Sequence, residues 1–78
     1  MKDLIDYIAR SLVDDPTQVY IQQKGQGQSV HFELEVAKED MGRVIGKRGR
    51  VANAMRTLLR VAAAREGKRV SLDIVDPE

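Results

Sequence analysis

A chain of 78 residues, 42% apolar and 32% charged, suffices for one small globular core and not for two. It has no cysteine, which excludes a disulfide framework and thiolate metal sites, and no apolar run of spanning length or signal-peptide core, so a cytoplasmic location without a membrane association is expected. The net charge of +1 conceals an asymmetry: residues 38–69 carry ten cations against three carboxylates, while the segments on either side are net acidic. A basic central third in a near-neutral chain suits a localised polyanion site, although a solvated helix face would give the same count.

Residues 2–13 read as a helix, because Leu4, Ile5, Ile8, Ala9 and Leu12 recur at spacings of three and four. Asp14-Asp15-Pro16 ends it, since proline disfavours helical geometry in the residue before it. Residues 18–23 read as a strand with Val19 and Ile21 inward, and Lys24-Gly25-Gln26-Gly27-Gln28 as a turn. Residues 29–37 give the clearest strand, with Val30, Phe32, Leu34 and Val36 on one side and His31, Glu33 and Glu35 on the other. The period then changes. A short helix is expected over 39–45, a tight junction over 46–49, a long helix over 50–66 capped by Gly67, and a last strand over 69–75.

This α-β-β-α-α-β order implies an α+β fold. A hairpin, a two-helix crossover and a parallel third strand make a three-stranded mixed sheet with the helices packed on one face. By alternation the open face carries Gln18, Tyr20, Gln22, His31, Glu33, Glu35, Ser71 and Asp73. It is acidic and poor in aromatics, unlike an RNA-recognition-motif sheet, whose aromatics stack bases. A polyanion is therefore expected on the helical side.

The stretch Val44-Ile45-Gly46-Lys47-Arg48-Gly49-Arg50-Val51 sets two cations between two glycines at a junction of helices. Glycine lets another backbone approach closely, and the first turn of the following helix offers free N–H groups and the positive end of a dipole. Lys47 and Arg48 project from the loop, with Arg43 and Arg50 beside it. A tight turn with incidental surface cations is the structural alternative. A Walker A loop is excluded, because Gly42 and Gly46 have only three residues between them and Arg48 stands where a hydroxyl would meet Mg²⁺. Gly25-Gln26-Gly27 lacks the third glycine of a dinucleotide fingerprint.

With its apolar pair, basic middle and element order, this stretch resembles the I-I-G-x-x-G-x-x-I signature of KH domains. Val44 stands at the first Ile position, and Ala52, with Val51 beside it, at the last. The order is that of type II KH folds, and the whole chain, residues 1–78 as one domain, is similar to the small bacterial KH proteins of the KhpA family. The resemblance implies a clamp on the backbone of about four single-stranded nucleotides. Gly46, Lys47, Arg48 and Gly49 would form the clamp, Val44 and Ile45 the groove wall or the core behind it, and Arg50 and Asn53 further contacts to phosphates or base edges. It further implies an RNA chaperone or post-transcriptional regulator. Such a protein would form homodimers or pair with a larger KH-containing protein (KhpB, also called Jag or EloR) in control of cell elongation, division and shape, with ribosome or small-RNA association in reach.

On the long helix, the apolar positions span roughly 200°, wider than the ~100° stripe needed to cover one sheet, with Asn53, Arg56 and Arg60 opposite. Either the helix touches both the sheet and the N-terminal helix, or one edge of the arc, drawn from Ala52, Ala54, Leu58, Leu59, Val61 and Ala62, meets another chain. A protein–protein adaptor using this helix is thus the alternative function. Catalytic chemistry is not expected. The single histidine, His31, sits on a strand face, Glu33 and Glu35 have no nucleophile or third metal ligand nearby, and no cofactor or metal site is implied.

Overall fold

The computed structural model describes residues 1–25 and 27–76, so Gln26, within the expected turn, and the last two residues of the expected domain lie outside the described residues. The N-terminal helix, α1, runs Lys2–Leu12 and turns Ile5 and Ala9 fully inward, with Leu4 and Ile8 against the same core. Val13 leaves the helix in an extended conformation. The strand expected at 18–23 starts later: Pro16–Gln18 form a 3-10 turn, and β1 spans Tyr20–Lys24. Asp15 is the cause, because its carboxylate caps the turn by accepting the Thr17 N–H, with Pro16 at the first position. Val19 is buried as its pattern demands, yet from the turn's end and not from a strand, and Gln18 is off the sheet.

Strand β2, Ser29–Glu35, shows strict alternation, with Val30, Phe32 and Leu34 buried. The expected strand to residue 37 is shorter by two, since Val36 stays fully buried while the chain turns into the crossover. The crossover comprises a 3-10 turn at Lys38–Asp40, helix α2 over Met41–Ile45, a 3-10 turn at Lys47–Gly49, and helix α3 over Arg50–Arg65. The backbone N–H of Lys68 reaches the Ala63 carbonyl at 2.8 Å and that of Gly67 reaches Ala64 at 3.2 Å, a Schellman closure that Gly67 permits with φ +68°. Strand β3 spans Arg69–Val75.

The sheet order is β1-β2-β3. β1 runs antiparallel to β2, from Tyr20↔Glu35 to Lys24↔His31, and β3 runs parallel to it, from Ser29↔Arg69 to Glu35↔Val75. This is the mixed sheet that the element order implies. Phe32, Leu34, Val36, Val44, Met55, Leu59 and Leu72 join Ile5 and Ala9 in one core between sheet and helices. On the open face Lys24 pairs with Glu33 at 3.2 Å, and His31 Nδ1 lies 2.6 Å from Ser71 Oγ.

Candidate nucleic-acid interface

The loop 46–49 is set by backbone conformations that few residues adopt. Gly46 closes α2 at φ +76°, ψ 173°, a region essentially reserved for glycine. A Cβ there would lie 2.5 Å from Val51 Cγ2 and 2.9 Å from the Val51 backbone nitrogen. Gly46 thus lets α3 start directly against the end of α2. Gly49 is left-handed at φ +76°, ψ 14°, and a Cβ there would meet only Asn53 Nδ2, at 3.8 Å. Between them Arg48 is also left-handed, φ 57°, ψ 26°, which costs a non-glycine residue about 1 kcal/mol. The Gly49 N–H closes the turn on the Gly46 carbonyl at 3.2 Å.

This path turns Lys47 and Arg48 to solvent at the start of α3. Among the described residues no side chain caps that helix, so its first-turn N–H groups and dipole face the loop. Among the described residues, Lys47, Arg48 and Arg50 have no carboxylate partner. Together they make a cradle of three cations and an open helix terminus, suited to a phosphate chain.

The other expected site residues divide. Val44 is fully buried and forms core behind the loop, whereas Ile45 is partly exposed beside it. Arg43 is drawn away from the cradle. Its Nη2 pairs with Asp14 at 2.9 Å and its Nε with Asp40 at 3.3 Å. Asp40 is the buried carboxylate that sequence pattern misses. At 2% exposure it accepts the backbone N–H groups of both Asp14 and Asp15 at 3.1 Å, tying the end of α1 to the start of α2. Asn53 is exposed, and its Oδ1 accepts from Arg56 Nη1 at 3.1 Å.

Arg56 and Arg60 are not among the expected site residues. They line a cleft of about 320 Å³ between α3 and β3, with Leu59, Val70, Ser71, Leu72 and Asp73. Their signal in the sequence is position: with Arg50 and Asn53 they share one polar face of the helix.

The expected partner surface is corrected in part. Ala52 and Leu59, 3% and 1% exposed, pack inside this chain's own core and cannot meet another chain. Leu58 and Val61, 49% and 52% exposed, and Ala54 do face solvent, while Ala62 is half-buried. The broad apolar arc therefore covers both core and surface. No group of His, Cys, Asp or Glu suited to a metal ion occurs among the described residues, and none of the helices described there is long and apolar enough to cross a membrane.

The family model described as "KhpA/KhpB, KH domain" matches residues 2–74. An RNA-binding protein KhpA of Clostridium acetobutylicum is 51% identical over 75 residues, covering 96% of this chain and 100% of that protein. The KhpA of Halalkalibacterium halodurans is 47% identical, covering 97% of this chain and 100% of its own length, and that of Chlamydia caviae is 45% identical, covering 97% of each. Among solved structures, Era in complex with MgGDPNP and nucleotides 1506–1542 of 16S ribosomal RNA superposes with a TM-score of 0.58 at 19% identity. That match covers 95% of this chain and 28% of Era, and shows a shared fold. With its element order, its mixed sheet and its Gly46–Gly49 junction, the chain belongs to the KhpA/KhpB KH-domain family.

Proposed function

We propose that the protein is a non-catalytic, cytoplasmic binder of single-stranded RNA that clamps the RNA backbone on Gly46-Lys47-Arg48-Gly49. The observation that carries this reading is the loop. Two cations without carboxylate partners among the described residues stand at an uncapped helix terminus, on a backbone whose glycines let a chain approach. Arg50 lies beside them, and Ile45 offers an apolar contact at the groove's edge. The relatives' description as RNA-binding proteins supports the choice of ligand. On the same reading the protein acts as an RNA chaperone or regulator, in small-RNA or ribosome-associated complexes, and works with KhpB (Jag, EloR) in cell elongation and division.

The test is fluorescence anisotropy with a labelled single-stranded RNA octamer. Lys47→Asp with Arg48→Asp, both exposed, removes binding while the circular-dichroism spectrum and melting temperature stay within error. Binding that survives both changes places the RNA elsewhere.

A second reading, a protein–protein adaptor that forms a homodimer or a heteromer with KhpB, is favoured by one observation: Leu58 and Val61 are large apolar side chains left half-exposed on α3. Sedimentation of the wild type and of Leu58→Glu with Val61→Glu at micromolar concentration tests it. A dimer lost in the variant supports the adaptor surface, and a wild-type monomer refutes self-association through it.

A further inference from the structure

The two edges of the sheet are finished differently. On β3, Arg56 of α3 donates from Nε to the Leu72 carbonyl at 3.0 Å, so a helix side chain occupies that edge. In an antiparallel pair such as β1 and β2, every second residue turns both its N–H and its C=O away from the partner strand. Among the described residues, no bond from outside the β2 ladder reaches a backbone group of Tyr20–Lys24. Four of these five residues are exposed, and the register with β2 is continuous, with no proline or bulge to blunt the strand. An unpaired edge of this kind is a template for one more strand. The neighbouring side chains decide what that strand would carry. Tyr20, 58% exposed, lies next to Glu35 on the open face, and Gln22 lies next to Glu33, while Ile21 faces the helical side beside Leu34. Tyr20, Glu33, Glu35 and Val75 line a groove of about 410 Å³, within the range of ligand sites. Among the described residues Glu35 has no cationic partner. An arginine opposite Tyr20 on an added strand would lie over the ring and point at the Glu35 carboxylate, two strand spacings or about 10 Å from its own backbone. A phosphate chain is repelled by the same carboxylates. The β1 of a second copy brings only Lys24, which Glu33 already holds at 3.2 Å.

We propose that the free edge of β1 docks an extended cationic segment of a partner protein, added antiparallel as a fourth strand. Its pattern alternates. Basic residues stand opposite Tyr20 and Gln22 on the open face, and apolar residues opposite Ile21 and Gln23 on the helical side. A small polar residue stands opposite Lys24, whose charge repels a third cation. Backbone bonds to the edge hold the segment, and the exposed Tyr20 ring with Glu35 selects its charge. The site is separate from the RNA clamp, because Lys47 and Arg48 belong to the helical layer.

The experiment titrates the peptide acetyl-Ser-Val-Arg-Val-Arg-amide into the full-length, nitrogen-15-labelled protein and follows the amide resonances. Saturable shifts at Tyr20–Lys24 and Glu35, with a Kd below about 1 mM, are expected, together with slower hydrogen exchange at alternate β1 amides. The same peptide N-methylated at its three central amides keeps every side chain but cannot donate to a strand, and should bind about tenfold more weakly. Acetyl-Ser-Val-Glu-Val-Glu-amide should not bind. Glu35→Lys should weaken the arginine peptide about tenfold and Tyr20→Ala about threefold, with the spectra of both variants confirming that they are folded. The N-methylated arm uses wild-type protein, so it decides even where a variant unfolds. No saturable shift, equal binding of the N-methylated or glutamate peptide, unchanged affinity in folded Glu35→Lys, or shifts centred on Lys47–Gly49 overturns the proposal. Shifts at β1 that move on dilution of the free protein put a second copy on this edge and overturn it as well.

Discussion

Gly46 and Gly49 look equivalent as letters, yet the structure gives them different burdens. Alanine at Gly46 would combine a glycine-only backbone region with a Cβ 2.5 Å from Val51 Cγ2. The expected loss is about 3–5 kcal/mol, from strain together with overpacking. Alanine at Gly49 meets nothing closer than 3.8 Å and carries only left-handed strain, about 1 kcal/mol. Urea denaturation of the two variants checks the order, and equal losses would mean that the Val51 contact is not what fixes the junction. Asp40 is the residue that pattern alone could not interpret. Near the start of a short helix it reads as a complement to the dipole, but its partners, Asp14 and Asp15, lie 26 and 25 residues away in the chain. Asp40→Ala leaves two backbone donors and the Nε of Arg43 without their acceptor, and should cost about 3 kcal/mol in the same assay. A loss under 1 kcal/mol would show that water replaces the carboxylate. Arg43, close to the loop in sequence, is held by Asp40 three residues before it and by Asp14 from beyond the end of α1.

At the scale of elements, strong periodicity was readable and local competition was not. The alternation of β2 and β3 and the apolar spacing of α1 reflect one buried face each, so each pattern has one reading. An inward Val19 fits a strand and a turn equally, so alternation alone starts β1 at residue 18, and Asp15 with Pro16 decides for the turn. The α3 arc posed a different difficulty. Its width showed that something beyond one sheet is covered, but a helical wheel cannot say which edge faces the core. The structure puts Ala52, Met55, Leu59 and Ala63 inside and leaves Leu58 and Val61 out. Adjacent leucines should therefore respond unequally. Leu59→Ala empties a core position and should cost about 2–5 kcal/mol, while Leu58→Ala should stay near 0.5 kcal/mol for the monomer. Thermal melts of both at low protein concentration test the division, and a comparable loss at Leu58 would mean that this face packs against something even there. Of the candidate site, the loop is the part legible in the sequence, where glycine spacing and charge coincide. The Arg56–Leu72 contact joins α3 to a strand edge and has no local signature.

For the whole molecule, the charge asymmetry becomes a spatial one. The helices cover one side of the sheet; the other side carries Glu33, Glu35 and Asp73. Lys47, Arg48 and Arg50 belong to the helical layer, and the shorter dimensions of the molecule are 22 and 18 Å. At physiological salt the screening length is about 8 Å, so the open face and the loop are weakly coupled. Two consequences differ in kind. Binding through about four phosphates of a single strand should give a slope of log K against log[salt] of about −3. Glu35→Lys, which reverses a charge on the open face, should leave that slope unchanged and shift affinity at 0.15 M salt less than threefold, whereas Lys47→Asp alone should flatten it by about one phosphate's worth, 0.7. If Glu35→Lys strengthens binding tenfold or steepens the slope, the RNA also runs across the sheet, and the acidic face ceases to be a surface that the strand avoids.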